Sequence, residues 1–173
     1  PVFLLCVKYL DTLKAREHRL ILDTIFQHGW LVSKRLSLYS SLGNHTVAES
    51  VGLIFAGAVF RNTAEGRSWL EKGYDILKQE LEHQILEDGG PAEQSLNYHR
   101  FVLDFYLQFM VLSRRLGRPL SRECEKRVEA MLEFGAALAG NEGIAPIIGD
   151  SDDARGIPIL EIIGKDFTDL LST

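Results

Sequence analysis

A chain of 173 residues that is 46% hydrophobic is long enough for one globular domain whose core removes roughly 70% of the unfolded chain's surface from water. Its formal net charge of −5 disfavours a general nucleic-acid binder, because counterion release from phosphates needs a basic face that its Lys and Arg do not form. Cys6 and Cys124 are far apart and lack CxxC or Cys/His ligand spacing, so they read as buried, reduced thiols, with neither a metal site nor a disulfide to infer.

The apolar opening at residues 2–7 is too short to span a membrane and carries no basic leader or cleavage-like segment. The chain begins at Pro1 inside a helical pattern, so an export signal removed upstream stays open and localisation is not legible. Over residues 2–36 apolar side chains recur at helical spacing, through Leu5, Leu13, Ile21, Ile25, Phe26, Trp30 and Leu36, which predicts one long helix or two consecutive ones. The period fails at 37–43, and Asn44 reads as the N-cap of a helix over 45–60 whose Ala48, Gly52, Ala56, Gly57 and Ala58 admit a close neighbour. Asn62 and Thr63 end that helix and cap the next. Trp69, Leu70, Tyr74, Leu77, Leu81 and Ile85 form its apolar stripe to about 86, with Glu71, Lys72, Lys78, Glu80 and Glu82 on the solvent side. A loop at 87–92 leads to a helix over 93–116, whose aromatic residues at helical spacing read as core. After a break at 117–121 a further helix, capped by Ser121, reaches about 138. Beyond 143 the chain reads as extended and polar. No strand alternation is sustained, so the class is all-α, built of antiparallel helical hairpins that can assemble as a bundle, a solenoid or an α/α toroid.

Two helix starts are unusually polar: Ser40–Glu49, and Glu93 to Arg100 with its carboxylate, amide, phenol, imidazole and guanidinium groups. In an array of antiparallel hairpins these helices run parallel and place both N-termini on one rim, where the helix dipoles favour an anionic group such as a carboxylate. Each residue also has a plain structural reading. Asn44 alone is an N-cap, His45 a surface or core histidine, Tyr98 an amphipathic core residue, and Glu49 and Glu93 helix-start or salt-bridge residues. A metal site from His45, Glu49, Glu93 and His99 ranks low, because the ligand spacing is weak.

Three motifs give the pattern a family. Ser40, Ser41, Leu42, Gly43, Asn44, His45, Glu49, Gly52 and Leu53 form the first. Asp88, Gly89, Gly90, Glu93, Gln94, Ser95, Tyr98, His99, Phe101 and Val102 form the second, and Ile147 to Asp153 the third. In this order they resemble the helical domain of heparinase II/III-type polysaccharide lyases, relatives of the alginate and oligoalginate lyases, over about residues 20–155.

The resemblance implies part of an incomplete α/α toroid over 1–144, followed by an acidic loop and tail over 145–173 leading toward a C-terminal β region absent from this chain. It also implies β-elimination at a uronic acid within an acidic polysaccharide or oligosaccharide. Asn44 with His45 would neutralise the sugar carboxylate, Tyr98 would act as acid and in some members also as base, and the other proton-transfer group, commonly a histidine, would come from the β region. Glu93 and Gln94 would line or support the site, with Glu49, His99 and Arg100 also toward substrate. No metal or other cofactor, nucleic acid or membrane is implied, a periplasmic or secreted location follows from the resemblance alone, and the isolated chain is expected to be inactive and to self-associate through exposed apolar surface. Asp150, Asp152 and Asp153 read as a hydrogen-bonded turn joining domains rather than a calcium site. Two rival readings remain: an α/α-toroid glycoside hydrolase using Glu49 with Glu93 or Asp150, and a non-catalytic helical module that binds glycans or proteins.

Overall fold

A computed structural model describes residues 12–39, 43–139 and 146–150. Among them the protein is all-α: α1 (Ala15–Lys34), α2 (Asn44–Val59), α3 (Ala64–Gln84), α4 (Leu96–Arg115) and α5 (Arg122–Ala139). No strand occurs among these residues, only one isolated antiparallel bridge between Ile85 and Pro91. The expected helical residues 2–11, Cys6 and the acidic pair Asp152 and Asp153 lie outside the described residues.

Local chemistry explains most of the boundaries. Glu17 accepts the Lys14 backbone N–H at 2.9 Å and so holds the start of α1. Thr63 Oγ1 accepts the Gly66 N–H at 3.0 Å, and Ser121 Oγ accepts that of Cys124 at 3.3 Å, so both expected caps form. Two starts differ from expectation. Gly43, at φ 109°, is the N-cap of α2 and Asn44 is already helical. Likewise α4 begins at Leu96 rather than 93, because Ser95 Oγ accepts the Tyr98 N–H at 3.2 Å and supplies the cap. Residues 93 and 94 therefore belong to the connection.

Consecutive helices run antiparallel. The α2–α3 hairpin is the tightest, since a Cβ at Gly57 would lie 2.8 Å from the Gly66 carbonyl oxygen, and one at Gly73 would lie 2.9 Å from that of Ser50. Of the small residues read in α2, Gly57 serves this approach, whereas Gly52 faces open space. The main core joins α2, α3, α4 and α5 through Val47, Ile54, Leu77, Tyr106, Val128 and Met131. Tyr106 donates its hydroxyl to the Leu77 carbonyl at 3.2 Å, so the aromatic residues of α4 are core, as their spacing predicts. A second cluster around Trp69, Leu53 and Ala56 is roofed by Phe26 and Ile25 of α1. Across the α4–α5 connection Arg118 bonds both oxygens of Glu71, at 2.6 and 2.9 Å, and lies over the Tyr74 ring at 4.6 Å. Glu80, expected on the solvent side of α3, is buried and accepts from the Gln84 amide.

The connection between α3 and α4 is a tight, braced loop. Leu86 N–H bonds the Gly90 carbonyl at 2.9 Å, Ala92 N–H bonds that of Gln84 at 2.7 Å, and Arg127 of α5 holds the Ile85 carbonyl at 2.8 Å. Gly89, at φ 86°, lies so close to the Ala130 backbone that a Cβ there would overlap it. These bonds set the angle at which the chain enters α4. Leu20, Trp30 and Leu31 of α1 are exposed. No helix among the described residues is long and apolar enough to cross a membrane.

Candidate active site at the paired helix starts

Because α3 runs opposite to both neighbours, α2 and α4 start at the same end of the protein, beside the last turn of α3. The link between them is direct: Asn44 Nδ2 donates to Glu93 Oε1 at 2.8 Å, across 49 residues of sequence. Since Gly43 is the cap, the Asn44 side chain is not used on its own helix. Asn44 is 7% exposed, and its amide closes the gap between the helix starts. Gln84, at the end of α3, donates to the Gly43 carbonyl at 3.0 Å. Ser95 belongs to the second sequence motif without an assigned role, and Gln84 to none of the motifs. Ser95 carried the signal of any N-cap serine before an apolar run, whereas Gln84 carried none.

The third motif joins the same place. Leu96 N–H bonds the Ile148 carbonyl at 3.1 Å, and Ser95 Oγ donates to the Asp150 carbonyl at 2.6 Å. Gly149 packs on the backbone of Gln94 and Ser95, and at φ 77° it holds a conformation that side chains rarely adopt. Residues 146–150 thus lie back against the start of α4, exposed on its surface. One end of the protein therefore gathers Gly43 and Asn44, Glu93 to Tyr98, and Ile148 to Asp150.

Individual residues separate in this frame. His45 is exposed and Asn44 buried, as the roughly 100° step between successive helical side chains requires. Tyr98 is half-buried in the first turn of α4, and Arg100 and Gln94 are exposed. Gln94 has φ 56°, a left-handed conformation rare for a non-glycine residue, where the chain turns from Glu93 to the Ser95 cap. Glu49 faces the α1–α2 connection, where its two oxygens accept from Ser37 N–H at 2.7 Å and Ser37 Oγ at 2.8 Å. Thr46 Oγ1 completes that clasp by donating to the Ser37 carbonyl at 2.7 Å. Among the described residues no three His, Cys, Asp or Glu side chains gather as metal ligands.

His99 corrects an expectation. It is 3% exposed, its Nε2 lies 3.0 Å from the Met131 carbonyl oxygen, and its ring meets Phe134 edge-on at 5.3 Å. A carbonyl only accepts, so Nε2 carries the hydrogen, and Nδ1 is left buried without a hydrogen-bond partner. The ring fastens α4 to α5, and almost none of it is open to solvent. Burial pushes its pKa below the ordinary histidine value, against a smaller opposing effect of the Met131 carbonyl. The folded state therefore binds fewer protons here than the unfolded one. Its stabilising contribution is fully present above the unfolded pKa of about 6.5 and is lost as pH falls below it. The thermal midpoint is expected to fall more steeply with acidification below that value in the native protein than in His99→Leu, and equal slopes would assign the acid sensitivity elsewhere.

A cavity of about 640 Å³ lies between α1 and α3, lined by Trp30, Lys34, Ser68, Trp69 and Lys72. From Lys72 to the rim residue Gln84 is about 18 Å along the helix, so this cavity is separate from the paired helix starts.

The chain belongs to the heparinase II/III family: the family's N-terminal region, described as Heparinase II/III N-terminus, matches residues 17–168. It is similar to heparin-sulfate lyases from three bacteria. The Bacteroides thetaiotaomicron protein is 30% identical over 65% of this chain and 17% of its own length. The Bacteroides stercoris protein is 28% identical over 67% of this chain and 18% of its own length, and the Pedobacter heparinus protein 27% identical over 65% and 18%. The chain thus spans less than a fifth of the length of these relatives. No solved structure gives a significant match.

Proposed function

We propose that this chain is the helical part of a polysaccharide lyase that cleaves uronate-containing acidic glycans by β-elimination, its hairpins forming part of an incomplete α/α toroid. The Asn44–Glu93 bond carries this reading, because it aligns two helix starts and an amide donor on one rim. The heparin-sulfate lyase relatives favour a glycosaminoglycan as the substrate class.

In the reaction, the substrate carboxylate must lose much of its negative charge before the neighbouring C5 proton can leave. The Asn44 amide, the exposed His45 and the positive end of α2 supply that stabilisation. A base removes the C5 proton, the C4=C5 double bond forms, the C4–oxygen bond breaks, and an acid protonates the departing oxygen. Tyr98 takes the acid role. A phenol is a weak base at neutral pH unless cationic neighbours stabilise its phenolate, so we assign the base to a part of the protein outside these residues. This chain alone is then inactive.

Hydrolysis needs two carboxylates flanking the scissile bond. Glu49 has both oxygens on Ser37 and Glu93 has one on Asn44, which weighs against that reading. With a uronate-containing polysaccharide, the full-length protein is expected to release products that absorb in the ultraviolet through a conjugated double bond, and the 173-residue chain none. New reducing ends without that absorbance would make the enzyme a hydrolase and refute the proposal.

A further inference from the structure

We infer that Glu93 is the positioning residue for Asn44, acting as a hydrogen-bond acceptor rather than through its charge on the substrate. The inference rests on the proposed role of Asn44 and adds what orients it. An amide has a donating and an accepting end, and an exchange of the two would turn the oxygen toward an incoming carboxylate. An ionised carboxylate only accepts. The 2.8 Å bond to Glu93 Oε1 therefore decides that Asn44 holds Nδ2 on the α4 side. Nδ2 carries two hydrogens, and when Glu93 takes one, planarity directs the other about 120° away from that bond, as an orientation fixed before substrate arrives.

The surroundings are built to hold this arrangement. The backbone on both sides adopts positive φ, at Gly43 and at Gln94, which brings Asn44 and Glu93 face to face. A Cβ at position 43 would lie 3.4 Å from the Glu93 carboxylate, so the carboxyl group rests directly over the cap residue. Gln84 holds the Gly43 carbonyl from below and is itself engaged by buried Glu80. A full negative charge beside a site that receives a carboxylate is otherwise unfavourable, and this favours the acceptor role over a direct contact with substrate.

The test uses the full-length protein and a uronate oligosaccharide, with kcat and KM measured separately and folding followed by thermal unfolding. Glu93→Gln keeps an acceptor oxygen and removes the charge; because its amide can also turn a donor toward Asn44, it is expected to lose part of the native kcat but clearly less than Glu93→Ala, with KM equal or lower. Glu93→Ala is expected to lower kcat by about 10- to 100-fold with little change in KM. Combined with Asn44→Ala it should add almost nothing to the single loss. If Glu93→Gln is as damaging as Glu93→Ala, the charge itself is used and the inference is overturned. If Asn44→Ala collapses turnover and Glu93→Ala does not, the inference fails while the lyase reading stands. If neither substitution alters turnover, the inference fails together with the role proposed for Asn44, while the ultraviolet absorbance of the products decides the lyase reading separately. Should Glu93→Ala not fold, Glu93→Asp replaces it: its shorter side chain cannot keep the bond, so impaired Asp with active Gln supports positioning, and equal activities overturn it.

Discussion

Tyr98→Phe in the full-length protein is expected to lower kcat on a uronate oligosaccharide by about 10²- to 10⁴-fold, the usual contribution of a positioned proton-transfer group. The substitution removes only the hydroxyl. Its backbone N–H still reaches the Ser95 cap and the ring still occupies its half-buried place on the first turn of α4, so thermal stability should change little. Binding of the oligosaccharide should also persist, because the lost interaction belongs to the departing C4 oxygen rather than to the resting sugar. Rapid-quench or continuous absorbance assays read the first quantity and a direct binding titration the second. Turnover near the native level would remove Tyr98 from the chemistry and favour the non-catalytic module.

Asn44→Ala is expected to cost about 10²- to 10³-fold in kcat, comparable to removal of one preorganised donor from a site where charge must be stabilised. It also deletes the bond between the starts of α2 and α4, worth about 1 kcal/mol, since the exposed Glu93 carboxylate regains water. Asn44→Asp separates the two effects: it keeps the shape but sets a carboxylate against Glu93 and against the substrate, so it should be at least as inactive as alanine and weaken binding as well. An Asn44→Ala enzyme with native kcat would show that the uronate carboxylate is neutralised elsewhere.

The placement of the helices was legible because their apolar residues follow a 3.6-residue period, and Thr63 and Ser121 marked two starts by chemistry acting within three residues. The same local rule misplaced the other two starts. Asn44 is a good N-cap by type, yet glycine tolerates φ 109° at position 43 and takes the cap, which releases the amide for a partner on another helix. Glu93 has a favourable charge for a first helical turn, yet the serine two positions later captures the Tyr98 N–H and starts α4 at Leu96. Polar character likewise pointed His99 and Glu49 toward substrate. Packing turned one into the α4–α5 contact and the other onto Ser37.

By itself the sequence determined an all-α chain and the approximate course of its helices, an acidic protein, and three motifs sufficient to resemble its family. Those properties depend on residue type and on spacings of a few positions. Only the tertiary structure decided that Asn44 meets Glu93, and that Ser95 meets the backbone of Asp150 across 55 residues. Such contacts depend on how the hairpins stack, because a helix start presents its side chains in directions about 100° apart and the neighbouring helices decide which direction is buried, bonded or open to a ligand.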